Sequence, residues 1–164
     1  MSPERLWRIS AFLRRRGLRR LALFVKKVNS AIYRNSLAPG VRFSPDVRFL
    51  HSGFGTVIHS NVTIGRGVRI GQNVTIAVRA ATGTEQGIVI EDDVGIGAGA
   101  ILLAPRGRSV RIGRGARIGA GALVVRDVPA GATVVAEPSR IVERGAAEPH
   151  SLEALEVRLD PGRE

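Results

Sequence analysis

An aliphatic residue returns every sixth position between Ile58 and Ile76, in the run I-H-S-N-V-T, I-G-R-G-V-R, I-G-Q-N-V-T, I. Val62, Val68 and Val74 each follow four residues after one of these isoleucines. The frame reappears at Ile90 and Ile96, and again at Ile112, Ile118 and Val124. A period of six fits neither a helix at 3.6 nor a plain strand at 2, and instead marks a chain that repeats a small structural unit. Three short strands joined by tight turns would close one triangular coil of about 18 residues, with the first and fifth residues of each hexad inward. Stacking such coils about 4.8 Å apart pairs their backbone groups and leaves open edges only at the two ends.

Composition agrees with thin, repetitive layers. Only 4% of residues are aromatic although 44% are hydrophobic, so the core is built from Val, Ile, Leu and Ala. The 164 residues are one domain's worth. The 20 glycines follow the six-residue frame and not the every-third spacing of collagen. There is no cysteine, which excludes disulfides and Cys-based nucleophiles or metal sites and is compatible with a reducing cytoplasm.

The net charge of +11 is concentrated at one end. Residues 1–34 hold ten Lys or Arg against the single acid Glu4, leaving only +2 for the remainder. Residues 3–34 are expected to be helical, with Leu6, Ile9, Leu13, Leu21, Phe24, Val28 and Ile32 as an apolar stripe and a weak point at Gly17. The longest uncharged run there, Val28–Tyr33, falls far short of the roughly 20 residues of a membrane span. Three uses of the arm compete: packing on the body or a neighbouring subunit, lying on an anionic membrane surface with Trp7 and Phe12 as anchors, or binding nucleic acid. The last is the weakest, because no stacking aromatics or recognised motif accompany the charge.

Residues 1–36 are thus read as a basic amphipathic helical arm, 37–142 as the repeat domain, and 143–164, with six acids against three arginines, as an acidic flexible tail. The first hexads, from Leu37, are degenerate, with Pro39 and Pro45 at matching turn positions. Three places break the frame. Gly55-Thr56-Val57 is a surplus of three, Ile76 to Ile90 reads as two hexads plus two, and Leu102 to Ile112 reads as a hexad plus four with Pro105–Arg108 protruding. Surplus residues must leave the stack as loops, where sites are expected. The arm is the expected cap below, and residues 134–142 the expected cap above.

The [LIV]-G-x-x-x-x hexads, the twice-repeated I-G-A-G-A (96–100 and 118–122) and the ending D-V-P-A-G-A-T-V-V-A-E-P-S-R-I-V (127–142) resemble the hexapeptide-repeat acyltransferases. Within them the resemblance is to the serine O-acetyltransferase branch, including its short relatives of polysaccharide pathways, and covers about two-thirds of the chain. It implies an all-β left-handed parallel β-helix, a cytoplasmic homotrimer with sites between neighbouring subunits, and acetyl-CoA as donor with no metal. It implies His51, followed by the small turn at Gly53, as general base for direct transfer to a hydroxyl. An imidazole suits proton removal at neutral pH, and Gly-rich turns offer N–H groups to an oxyanion. His59, Asp46 and Gly53 are candidates for holding the acceptor, Asp46 also as a stand-in for an orienting carboxylate. Gly97, Ala98, Gly99 and Ala120 would let the pantetheine arm approach the backbone, and Arg117 and Arg126 are candidate phosphate ligands.

Departures from the pattern bear on the acceptor. The branch has aspartates fifteen residues before and immediately before the base, where this chain has Ser36 and Leu50, and a second histidine where it reads Gly87-Ile88-Val89-Ile90. The expected acceptor is therefore a saccharide or lipid-linked glycan hydroxyl ahead of L-serine, with the arm at the inner membrane face. The rivals are a catalytically weakened β-helix scaffold and, less favoured, a γ-carbonic-anhydrase-like protein, which needs three zinc-binding histidines where only His51 and His59 lie in the repeat body.

Overall fold

The computed structural model describes residues 2–79 and 86–137. Fourteen short strands wind into a left-handed parallel β-helix of four full coils and part of a fifth, preceded by two helices. The first coil is β1 (Ser36–Leu37), β2 (Arg42–Phe43) and β3 (Arg48–Phe49), and the second is β4 (Val57–Ile58), β5 (Val62–Ile64) and β6 (Arg69–Ile70). The third is β7 (Thr75–Val78), β8 (Ile88–Ile90) and β9 (Gly95–Ile96), and the fourth is β10 (Ile101–Ala104), β11 (Val110–Ile112) and β12 (Arg117–Ile118). β13 (Leu123–Val124), a bridge at Val128 and β14 (Thr133–Val134) begin the fifth.

Every third strand stacks in parallel, giving three faces: β1-β4-β7-β10-β13 (face A), β2-β5-β8-β11 (face B) and β3-β6-β9-β12-β14 (face C). The inward positions predicted from the hexads fill the prism. Ile58, Val62, Ile64, Val68, Ile70, Val74 and Ile76 are all buried, as are Ile112, Ala116, Ile118 and Ala122 further up. Small second-position glycines let the coils approach. A Cβ on Gly71 would stand 2.6 Å from the Ala98 nitrogen, and one on Gly97 would stand 2.5 Å from that of Ala120.

Strand pairing locates the surplus residues. Val57 pairs with Thr75, 18 residues on, but Ser36 pairs with Val57 across 21, Val62 with Ile88 across 26, and Ile88 with Val110 across 22. Two sequence expectations change accordingly. Val57 is not surplus but a strand residue on face A, so the three extra residues lie within 50–56. Ile58 pairs with Ile76 and Ile64 with Ile90, so Ile76 to Ile90 is one hexad plus eight, not two plus two. Pro105–Arg108 does form the loop between β10 and β11, closed by the Arg108 N–H donating to the Pro105 carbonyl.

The arm divides at Gly17 (φ +80°), as its sequence suggests, into α1 (Pro3–Arg15) and α2 (Arg19–Tyr33). α1 covers the lower edge of the first coil. Trp7 is 1% exposed, stacks on Phe43 with centroids 3.8 Å apart, and donates from Nε1 to the Ala38 carbonyl at 2.9 Å. Arg8 donates to the Pro45 carbonyl, and the Glu4 carboxylate accepts from the Phe49 N–H at 2.9 Å. One helix thus satisfies edge groups next to all three faces, which unpaired backbone in an open sheet edge requires. Trp7 is therefore a core residue and not a membrane anchor. α2 buries only Ala22 and Asn29 and leaves Leu21, Leu23, Phe24 and Ile32 exposed. Of the upper cap, residues 138–142 lie outside the described residues, as does the tail at 143–164.

Candidate active site

Because all strands of a face run the same way, each kind of corner stacks in a column up the prism. The column after face C contains residues 50–56 of the first coil, Gly71-Gln72-Asn73 of the second, Gly97-Ala98-Gly99 of the third and Gly119-Ala120-Gly121 of the fourth. Hydrogen bonds tie the column together: Asn73 N–H to the Phe54 carbonyl, Gly99 N–H to that of Gln72, and Gly121 N–H to that of Ala98. His51, Gly53, Gly97, Ala98, Gly99 and Ala120, singled out on separate hexads, thus share one edge of the molecule.

The lowest corner of this column is the irregular one. Leu50–Gly53 form a 3-10 turn in which His51 (φ 48°, ψ 42°), Ser52 (φ 57°) and Gly53 (φ 59°) are all left-handed. Two consecutive non-glycine residues in that region cost on the order of 1–3 kcal/mol each and persist where surrounding structure fixes them. Phe49 fixes this turn from below: a Cβ on Gly53 would come within 2.9 Å of its ring. Thr56, fully buried, fixes it from within by donating its hydroxyl to the Gly71 carbonyl. The result is that the His51 side chain stands exposed on the edge, free of any hydrogen bond among the described residues.

The N–H groups of the glycine corners are less available than their composition suggests. Those of Gly97, Gly99 and Gly121 are spent on bonds between coils. Those of Ala98 and Ala120 donate to nothing among the described residues, so they are the ones a pantetheine amide or an oxyanion can meet.

The other sequence candidates lie elsewhere. Asp46 is on the corner after face B, where its Oδ2 accepts from the Gly67 N–H at 2.9 Å. The Ser44 hydroxyl, and then that N–H, hold its carboxyl below the ordinary value of 3.8. Asp92 repeats the arrangement on Arg66, as Asp127 does for the Arg111 N–H from the corner after face A. Asp46 is thus a latch between coils and makes no hydrogen bond to His51. His59 is on the corner after face A, its Nδ1 accepting from the Asn61 N–H at 3.1 Å, and Arg126 is on the same column three coils further up. Arg117 faces outward from β12 on face C. Among the described residues no three His, Asp or Glu side chains gather as metal ligands.

Face A borders the edge that bears His51. Its outward positions include Val57, Ile101 and Leu123, joined by Leu50 and Phe54 of the His51 turn, all exposed. Contiguous exposed apolar surface beside a polar edge marks a contact surface. Sequence reasoning missed this apolar surface, and missed that Arg48 and Arg69 are register partners on face C. Reading every third hexad together would have found both, since every third hexad shares a face.

No profile of a known protein family matches the chain. Individual proteins do. The serine acetyltransferase of Bacillus licheniformis is 37% identical over 132 residues, which cover 76% of this chain and 57% of that enzyme. The soybean serine acetyltransferase complexed with serine superposes with a TM-score of 0.72 at 33% identity, covering 84% of this chain and 54% of that one. The Brucella abortus enzyme in complex with coenzyme A gives 0.72 at 26%, covering 84% and 53%. The β-helix is similar to that of these serine acetyltransferases. The chain spans a little over half the length of these relatives. The soybean structure places serine, and the Brucella one coenzyme A, on proteins sharing this repeat body.

Proposed function

We propose that this protein is an acetyl-CoA-dependent O-acetyltransferase of the serine acetyltransferase type, transferring the acetyl group directly to a hydroxyl with His51 as general base. The observation that carries the reading is the single edge on which the strained His51 turn and the free N–H groups of Ala98 and Ala120 stack. The acceptor hydroxyl loses its proton to the His51 imidazole as its oxygen attacks the thioester carbonyl. The resulting oxyanion is met by backbone donors, the C–S bond breaks, and CoA leaves as the thiol, taking up the proton. Acetyl-CoA is a donor substrate here, and its pantetheine arm is proposed to follow the column of small residues at Gly97–Gly99 and Ala120.

The exposed apolar rows of face A, bordering that edge, support a homotrimer with each site between two copies. This arrangement would let a neighbour supply what Ser36 and Leu50 do not. A saccharide or glycan hydroxyl is favoured over L-serine because the branch's second histidine is missing, the chain reading Gly87-Ile88-Val89-Ile90 there. The protein is expected to turn over acetyl-CoA with some member of a panel of sugars, oligosaccharides and L-serine, read as free CoA thiol, and to sediment as a trimer of 17.5 kDa chains. Absence of acceptor-dependent thiol release across the panel overturns the reading in favour of a β-helix scaffold.

No described helix is long and apolar enough to cross a membrane. A peripheral contact at the inner face of the membrane is assigned to α2, whose exposed Leu21, Phe24 and Ile32 run beside Arg20 and Lys27. Flotation with vesicles containing anionic lipid is expected, and Phe24→Glu is expected to abolish it. Flotation unaffected by that change, or its absence with the unaltered protein, overturns the contact.

A further inference from the structure

Face C carries an unneutralised ladder of arginines. Arg48 and Arg69 are direct register partners on β3 and β6, and Arg117 lies on β12 two rungs further up, with Gly95 between. Rungs are about 4.8 Å apart, and like charges directly opposite in neighbouring strands repel. Three arginines elsewhere on the prism are neutralised: Arg66 and Arg114 pair with Asp92, and Arg111 pairs with Glu91. The side chains of Arg48, Arg69 and Arg117 make no ion pair or hydrogen bond among the described residues.

The ladder is also built to converge. Gly95 occupies the outward position where a side chain would separate Arg117 from Arg69. A Cβ there would stand 2.9 Å from one Arg117 guanidinium nitrogen, so Arg117 lies down across the glycine toward the lower rungs. The three arginines consequently line one open cavity of about 540 Å³, with Asp46, Gly67 and Asp93 at its side. Gly95 has no left-handed backbone that would demand a glycine. Its outward position is instead covered by the Arg117 side chain.

The strands of face C run directly into the corner that bears His51, and Arg48 precedes His51 by three residues. We infer that face C is a binding track for an acceptor that carries several negative charges in a row, an anionic oligosaccharide with carboxylate or phosphate on successive sugars, and that it delivers a hydroxyl of that chain to the His51 edge. The acceptor role rests on the transferase reading above; the binding track does not. Planar guanidiniums pair bidentately with carboxylate and phosphate, and a row spaced by strand pairing suits a chain with regularly spaced anions. The outward positions of β3, β6, β9 and β12 hold no aromatic ring to stack on a base, which favours a saccharide over nucleic acid.

Binding is tested first without acetyl-CoA, by calorimetry at low ionic strength with an oligogalacturonate and with inorganic tripolyphosphate as probes. The oligogalacturonate is expected to bind in a salt-sensitive manner. Arg69→Ala is expected to weaken it about ten-fold, and Gly95→Val, which keeps every charge but displaces Arg117, by about three-fold. Arg108→Ala, in the loop on another corner, is expected to leave it unchanged. Affinity insensitive to Arg69→Ala, or a single-stranded oligonucleotide of equal charge binding more tightly, overturns the track. In the activity arm, Arg69→Ala is expected to raise the KM of an anionic acceptor and leave that of acetyl-CoA unchanged. A rise confined to acetyl-CoA assigns the ladder to the donor's phosphates and overturns the acceptor role. Binding without any turnover keeps the track and overturns the transferase reading, whereas equal turnover of neutral and anionic acceptors keeps the transferase reading and overturns the acceptor role of the track.

Discussion

Replacing His51 with Asn is expected to lower acetyl transfer by about 10²–10⁴-fold in kcat while leaving the fold intact, the range that loss of a general base produces. Asn is the informative substitution because His51 sits at φ 48°, ψ 42°, where Asn is tolerated better than Ala. The side chain is exposed and unbonded, so its removal costs no packing. The measurement is the steady-state rate of CoA thiol release, with the melting temperature as control. A variant that keeps its activity removes His51 from the mechanism. His59→Asn should be far milder, since His59 stands on another corner column and is engaged by the Asn61 N–H.

The largest effect on stability is expected at Trp7. Trp7→Ala removes the ring stacked on Phe43, tilted against Phe49 at 5.6 Å and hydrogen-bonded to the Ala38 carbonyl, and opens the lower end of the prism. Truncating a fully buried aromatic costs about 3–5 kcal/mol. Here the loss also uncovers a sheet edge, so aggregation on heating should accompany a lower melting temperature. Glu4→Gln keeps the shape and an acceptor oxygen, so it should cost far less. Thermal denaturation of the two variants side by side reads the difference; a Trp7→Ala protein as stable as the parent would show that α1 does not hold the coil end.

The hexad frame was legible because inward positions recur without exception from Ile58 to Ile76, and every one of them is buried. The same frame located the loop at Pro105–Arg108, where the surplus interrupts an otherwise regular run. It mislocated the eight residues before Ile88 because a gap of 14 can be divided as two hexads or one, and only strand pairing decides. The role of Trp7 was left open because an aromatic in a basic amphipathic helix has the same pattern whether it enters lipid or caps a core. Asp46, close to His51 in sequence, was a candidate to orient it, yet the two-residue strand β3 carries the chain across a whole face between them. What the sequence hides in a solenoid is which hexads are neighbours, since contacts run across the coils and not along them.

The position of the cap in the chain has a consequence for synthesis. A growing stack always ends in a row of unpaired strands, and such a row is where two unfinished chains would join. Here α1 is made before the coil whose Ala38, Pro45 and Phe49 backbone groups it satisfies. The lower edge is therefore blocked as soon as it forms, and a nascent chain exposes one sticky end instead of two. Growth on the ribosome becomes directional: each new coil has a finished floor beneath it and only one place to go.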